Sequence, residues 1–224
     1  MGLEMNILVI APHPDDEALG CGGTIAKYAA EGHEVYVCIV TKGCEPLFPE
    51  RDVEKTREEC KMADQLLGVK KTVFLDFPAA MLEDVRRYEL NGAILDAVMD
   101  IKPEIVFLPH RGDMQLDHKL IVDASMVALR PKYTHTVKKI LSYETMSETG
   151  WDVPNCVNEF IPTAYSDITK YIDRKLEALR IFKSQMTGYP GARSEEAVMA
   201  LAMYRGASMN MRYAEAFSVI RDVF

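Results

Sequence analysis

The sequence predicts an α/β fold: a Rossmann-like three-layer arrangement in which a mostly parallel, doubly wound sheet carries helices on both faces. Three observations predict it. Short apolar runs recur (NILVIA, EVYVCIV, IVFL), each too brief for a helix and β-branched in composition, the pattern of strands buried on both faces. Longer segments with apolar residues at helical spacing alternate with these runs, as βαβ units require. No linker, repeat or low-complexity stretch divides the 224 residues, so 1–224 reads as a single domain large enough to bury a substantial core.

Taken in order, Asn6 to Ala11 is the first strand, and 18–31 the first helix, with Leu19, Ile25, Tyr28 and Ala29 at helical spacing and Gly32 as its stop. Glu34 to Val40 is a second strand. A helix over 52–67 ends at Gly68, and 72–75 is a short strand. A helix over 89–100 carries Leu90, Ile94, Leu95 and Val98 on one stripe. Ile105 to Leu108 is a buried strand closed by Pro109, followed by a helix over 117–129 and a strand over 138–142. Beyond Tyr143 the pattern loosens into a strand over 159–165, a long helix over 167–185 and another over 195–203.

Composition bounds the function. A net charge of -8 and a pI near 5.2 argue against nucleic-acid or anionic-membrane surfaces, which select clustered Lys and Arg. A strongly anionic substrate would need a local basic pocket. No run approaches the roughly 20 apolar residues of a membrane span. The opening MGLEMNILVIAPHPDD lacks the basic start of a signal peptide. Five scattered cysteines without a CxxC spacing read as free thiols in a reducing compartment, so a cytoplasmic location is expected.

In doubly wound sheets, ligands collect outside the carboxyl ends of the strands. Two chemically dense loops leave such ends: HPDDE after the first strand and PHRGDMQLDH after IVFL. Catalytic zinc takes three protein ligands from His, Asp, Glu or Cys and keeps a position for water. One His and one Asp from the first loop, with one His from the second, would meet that requirement. Spacing leaves open whether Asp15 or Asp16 ligates, and an acidic turn that merely opens a helix is the plain alternative. Neighbouring carboxylates can divide the work, one on the metal and one collecting the proton of the attacking water. His33, in the turn EGHEV, reads as structural or solvent-facing, and His135 as an exposed loop residue. GCGG lacks the third Gly of a dinucleotide fingerprint, since Ile25 stands there.

APHPDDEALGCGGTIA resembles the opening signature of the PIG-L/LmbE-like deacetylases, zinc-dependent hydrolases that remove acetyl groups from N-acetylated amino sugars. TREECKMADQLLGV, PHRGDMQLDH and AEAFSVIR (Ala214 to Arg221) are similar to further family segments in the same order. The resemblance implies His13, Asp16 and His118 as ligands of Zn2+, or of another divalent metal, and Asp15 as general base. It implies Arg57 as a residue that orients the Asp loop or holds substrate, with Asp113 and Asp117 binding substrate or orienting a catalytic group. It also implies a small N-acetylated amino-sugar substrate, while the charge balance above leaves no nucleic-acid or membrane partner expected. Homo-oligomers are common in that family, although no exposed stripe here marks an interface.

One position departs from the pattern. Many relatives close the second loop in His-x-Asp-His, whereas this chain reads Gln115-Leu116-Asp117-His118. In the family that first His is thought to stabilise the oxyanion. Gln115 can donate an N–H there but carries no charge, and His110 either substitutes from the start of the loop or stacks near the rim. Rival readings follow: a metal- or sugar-binding protein that has lost turnover, a deacylase of a non-sugar amide, or a nucleotide-dependent oxidoreductase on the same scaffold. Trp151, the single Trp, would stack on a sugar face or plug the core.

Overall fold

The computed structural model describes residues 4–224. Residues 1–3, which belong to the expected 1–224 domain, lie outside the described residues. Seven strands form one sheet in the order β3-β2-β1-β4-β5-β7-β6. They are β1 (Asn6–Ala11), β2 (Glu34–Lys42), β3 (Lys71–Pro78), β4 (Ile105–Pro109), β5 (Lys139–Tyr143), β6 (Ala164–Asp167) and β7 (Ala214–Asp222). The first five run parallel, and β7 is antiparallel to both β5 and β6. Helices α1 (Asp16–Ala30), α2 (Glu50–Leu67), α3 (Arg87–Ile101), α4 (Leu116–Ala128), α5 (Ile172–Ile181) and α6 (Glu195–Ala207) complete the fold.

Alternation along β1 divides the core. Ile7, Val9 and Ala11 pack with α1, α2 and α5 on one face, while Leu8 and Ile10 pack with α3 and α4 on the other. This is why β1 and β4 read as unbroken apolar runs. Strand order reverses beside β1, with β2 on one side and β4 on the other. The carboxyl ends of β1 and β4 are therefore neighbours at the topological switch point, where such sheets bind ligands.

Several boundaries move. Helix α1 begins at Asp16 rather than at residue 18, so the acidic turn is already helical. The expected helix over 167–185 shortens to Ile172–Ile181, because Asp167 belongs to β6 and takes the Thr169 N–H on its side chain. The strand expected over 159–165 is confined to Ala164–Asp167; Pro162, which has no N–H to offer a ladder, falls inside the expected span. Strand β7, not expected at all, fills the sheet between β5 and β6.

The glycines of GCGG serve packing. A Cβ on Gly20 would stand 2.2 Å from the Tyr143 ring, and one on Gly23 would stand 2.8 Å from Ile168. Tyr143, wholly buried, lies against this smooth helix face and donates its hydroxyl to the Ile10 carbonyl at 3.0 Å.

Candidate metal centre

The two loops meet as the topology requires. His13, Asp16 and His118 present ligand-type atoms that all lie within 4.8 Å of one another. Asp16 Oδ2 is 3.1 Å from His13 Nδ1 and 3.4 Å from His118 Nε2. Asp16 is fixed because it opens α1 and accepts the His13 backbone N–H at 3.0 Å. His118 sits in the first turns of α4, fully buried.

Each histidine is held from behind by a carboxylate. Asp113 Oδ2 lies 2.8 Å from His118 Nδ1, and Asp117 Oδ2 lies 3.0 Å from His13 Nε2. The carboxylates are anchored in turn, Asp113 by the Thr149 hydroxyl at 2.6 Å and Asp117 by the Ala80 N–H at 2.7 Å. Such outer partners fix which ring nitrogen of a metal-binding His carries the proton and raise its basicity. Here they leave His13 Nδ1 and His118 Nε2 facing Asp16.

Two buried atoms in this cluster, Asp16 Oδ1 and His118 Nε2, have no hydrogen-bond partner. Orphaned polar atoms at full burial are costly, and here they converge with His13 Nδ1. An N,N,O donor set of this kind suits a borderline divalent cation, zinc foremost. The electrostatics agree. Burial by itself lowers the His13 and His118 imidazoles, but the carboxylates around them override it, raising His13 to about 9 and His118 to about 10. Burial likewise pushes against ionisation of Asp16, yet His118 and His13 hold its carboxyl well below the usual range. The cluster is built to keep a positive charge in place.

Asp15 adopts φ 125°, ψ -26°, a backbone region unusual for any residue but Gly. Its N–H goes to Glu17 Oε2 at 3.0 Å. Burial, then the charge of Asp16, raises the Asp15 carboxyl to about 7, with Arg193 and the two histidines pulling the other way. A carboxyl titrating near neutrality beside a metal-ligand set is the profile of a general base.

A cavity of about 430 Å³ opens over His13. Arg57 lines it, its guanidinium 4.1 Å above the Phe74 ring and 2.9 Å from Asp76. Gln115 lines it too, with Nε2 3.4 Å from His13 Nε2. Lys42 and Arg193 add two more cations to the wall of an otherwise acidic protein.

Other expected residues lie elsewhere. Asp113 and Asp117, at 0% and 1% exposure, lie against the histidine rings and are not among the residues of the cavity wall, an arrangement that matches the expected orienting role. His110 is also withdrawn from the cavity lining: its Nε2 faces the Asn158 carbonyl at 3.0 Å and its ring meets Phe160 edge-on. This removes it as a stand-in for the missing loop histidine. Trp151 is 70% exposed, so it does not plug the core, and it is not on the cavity wall. Sequence reasoning missed Arg193, whose Nη1 is 2.5 Å from Asp15 Oδ2. Its only sequence signal is a cation in a Pro/Gly-containing segment, MTGYPGARS.

A second group, Glu17, Cys60 and Asp64, lies buried between α1 and α2. Burial pushes both of its carboxyls upward, Asp64 to about 7.

The chain is similar to known proteins along most of its length. The family described as PIG-L, GlcNAc-PI de-N-acetylase, matches residues 8–129. The chain is 30% identical over 184 residues to the uncharacterized deacetylase YaiS of Escherichia coli, covering 80% of this chain and 90% of that protein. It is 29% identical over 232 residues to the diacetylchitobiose deacetylase of Thermococcus kodakarensis, covering 97% and 84%. The crystal structure of the conserved protein TT1542 from Thermus thermophilus superposes with a TM-score of 0.79 at 28% identity, covering 98% of this chain and 96% of that one.

Proposed function

The chain belongs to the PIG-L family, a family of metal-dependent deacetylases, and from that premise we propose that it is a zinc hydrolase removing the N-acetyl group of an amino-sugar derivative and releasing acetate. The substrate is an N-acetylglucosamine-type glycoside or conjugate. The observation that carries this reading is the paired support of His13 by Asp117 and of His118 by Asp113 around Asp16, with the adjacent Asp15 tied to Arg193 of the cavity wall.

His13, Asp16 and His118 would hold the zinc, which when bound polarises the amide carbonyl and acidifies water. Asp15 accepts a proton from the attacking water and returns it to the departing sugar amine, acting as base and then acid. Gln115 donates its side-chain N–H toward the oxyanion. Arg57, held over the Phe74 ring, contacts the substrate from the cavity wall. No helix among the described residues is long and apolar enough to cross a membrane.

Gln115 favours one second reading, a metal- and sugar-binding protein with weak turnover. The decisive experiment measures bound metal and acetate release from N-acetylglucosamine and diacetylchitobiose. Turnover that a chelator abolishes, and that Asp15→Asn loses while retaining metal, supports the enzyme. A metal-loaded protein that binds these sugars without releasing acetate supports the binder.

A further inference from the structure

The backbone of Asp15 is fixed by α1, since its carbonyl accepts the N–H groups of Ala18 and Leu19 at 3.1 and 2.9 Å and its own N–H goes to Glu17. Its side chain is fixed by something else. Among the described residues, the hydrogen-bond partner of its carboxylate is Arg193, reaching across 178 positions from the loop between α5 and α6. Arg193 is itself held at three points. Nε donates to Ser147 Oγ at 3.0 Å, and Nη1 is shared between Asp15 and Gln185 Oε1, the latter at 3.4 Å. A guanidinium tied into two further segments is a rigid strut, because its planar fork leaves little freedom once two of its nitrogens are engaged.

We propose that Arg193 is a positioning residue for the reaction: it aims the Asp15 carboxylate at the attacking water and makes that aim depend on the docking of the 183–194 loop. The proposal rests on the reading of Asp15 as general base. The physical need is plain, since a displacement of about 1 Å in a catalytic group can cost about 10²-fold in rate, and among the described residues no other hydrogen bond orients this carboxylate. A cation from a distant loop does so without adding a negative charge to a crowded acidic site.

The test compares zinc-reconstituted wild type, Arg193→Met, Arg193→Lys, Asp15→Asn and the Arg193→Met/Asp15→Asn double variant on diacetylchitobiose. Arg193→Met is expected to lower kcat by about 10²-fold with KM and zinc content little changed, and Arg193→Lys to recover part of the loss. In the Asp15→Asn background, Arg193→Met is expected to cost almost nothing further, because both changes remove one function. An unchanged kcat, a rise in KM alone, or full additivity of the two changes overturns the proposal. Should Arg193→Met fold poorly, Ser147→Ala releases the strut from one anchor and is expected to lower kcat several-fold at constant KM. A wild type that turns over no N-acetyl sugar would sink the deacetylase reading instead. The crystal structure of Arg193→Met then decides the positioning role by itself: a rotated Asp15 carboxylate supports it, and an unmoved one overturns it.

Discussion

Asp113 bridges His118 and Thr149, its Oδ2 2.8 Å from the imidazole Nδ1 and its Oδ1 2.6 Å from the threonine hydroxyl. That bridge turns Nε2 of a fully buried histidine toward Asp16. Replacing Asp113 by Ala should therefore weaken metal binding without touching a ligand, by about 10- to 100-fold in affinity. Zinc titration of the variant against wild type, with circular dichroism to confirm the fold, checks this. An unchanged affinity would mean that the carboxylate does not set the ring.

Gln115 allows a sharper test of the departure from the family pattern. Its amide lines the cavity 3.4 Å from the His13 ring. Gln115→Ala should lower kcat by about 10²-fold if the amide is an oxyanion donor, with metal content intact. Gln115→His should retain or raise kcat. Equal loss in both variants would show that the amide's shape, rather than its donated hydrogen bond, matters there.

Much of this centre is legible in the sequence because its parts are locally determined. Strands β1 and β4 are apolar throughout since both of their faces are buried, and each ends in a loop that concentrates His and Asp. What the sequence leaves hidden depends on pairs distant along the chain. Arg193 acquires meaning only by meeting Asp15 across 178 positions. The roles of Asp113 and Asp117 depend on which side of the histidine rings they occupy, which spacing does not decide. Strand β7 escapes notice for a related reason: the buried Glu215 near its start contradicts the pattern of an interior strand until its partner Lys175 is in view.

That partnership carries its own prediction. Lys175 Nζ reaches Glu215 at 2.6 Å and the Leu19 carbonyl at 2.7 Å, while the Glu215 carboxylate takes the N–H groups of Gly23 and Thr24. Both side chains are nearly inaccessible, so Lys175→Met strands a buried carboxylate and should cost about 3–5 kcal/mol. Thermal unfolding should drop by on the order of 10 °C. The Lys175→Met/Glu215→Gln pair should be milder than the sum of the single changes; strict additivity would mean that the two charges do not interact.

The buried acids between α1 and α2 make stability depend on pH in an uncommon direction. Burial raises Asp64 to about 7, against the opposing bonds from Thr72 and Cys60, whereas in the unfolded chain it ionises near 3.9. Between those values the folded protein holds a proton that the unfolded chain has released. Stability therefore falls as pH rises through that window and levels off above about 7, the reverse of the usual acid-denaturation slope. Asp64→Asn keeps a group of the same shape that never ionises, so its unfolding free energy from urea titration should lose this component of the slope and exceed the wild-type value by a growing margin from pH 5 to 7, on the order of a few kcal/mol at most. The buried Glu17 carboxyl is pushed up as well, so some slope should survive in the variant. A constant difference between Asp64→Asn and wild type across this range would show that Asp64 is ionised in the folded protein.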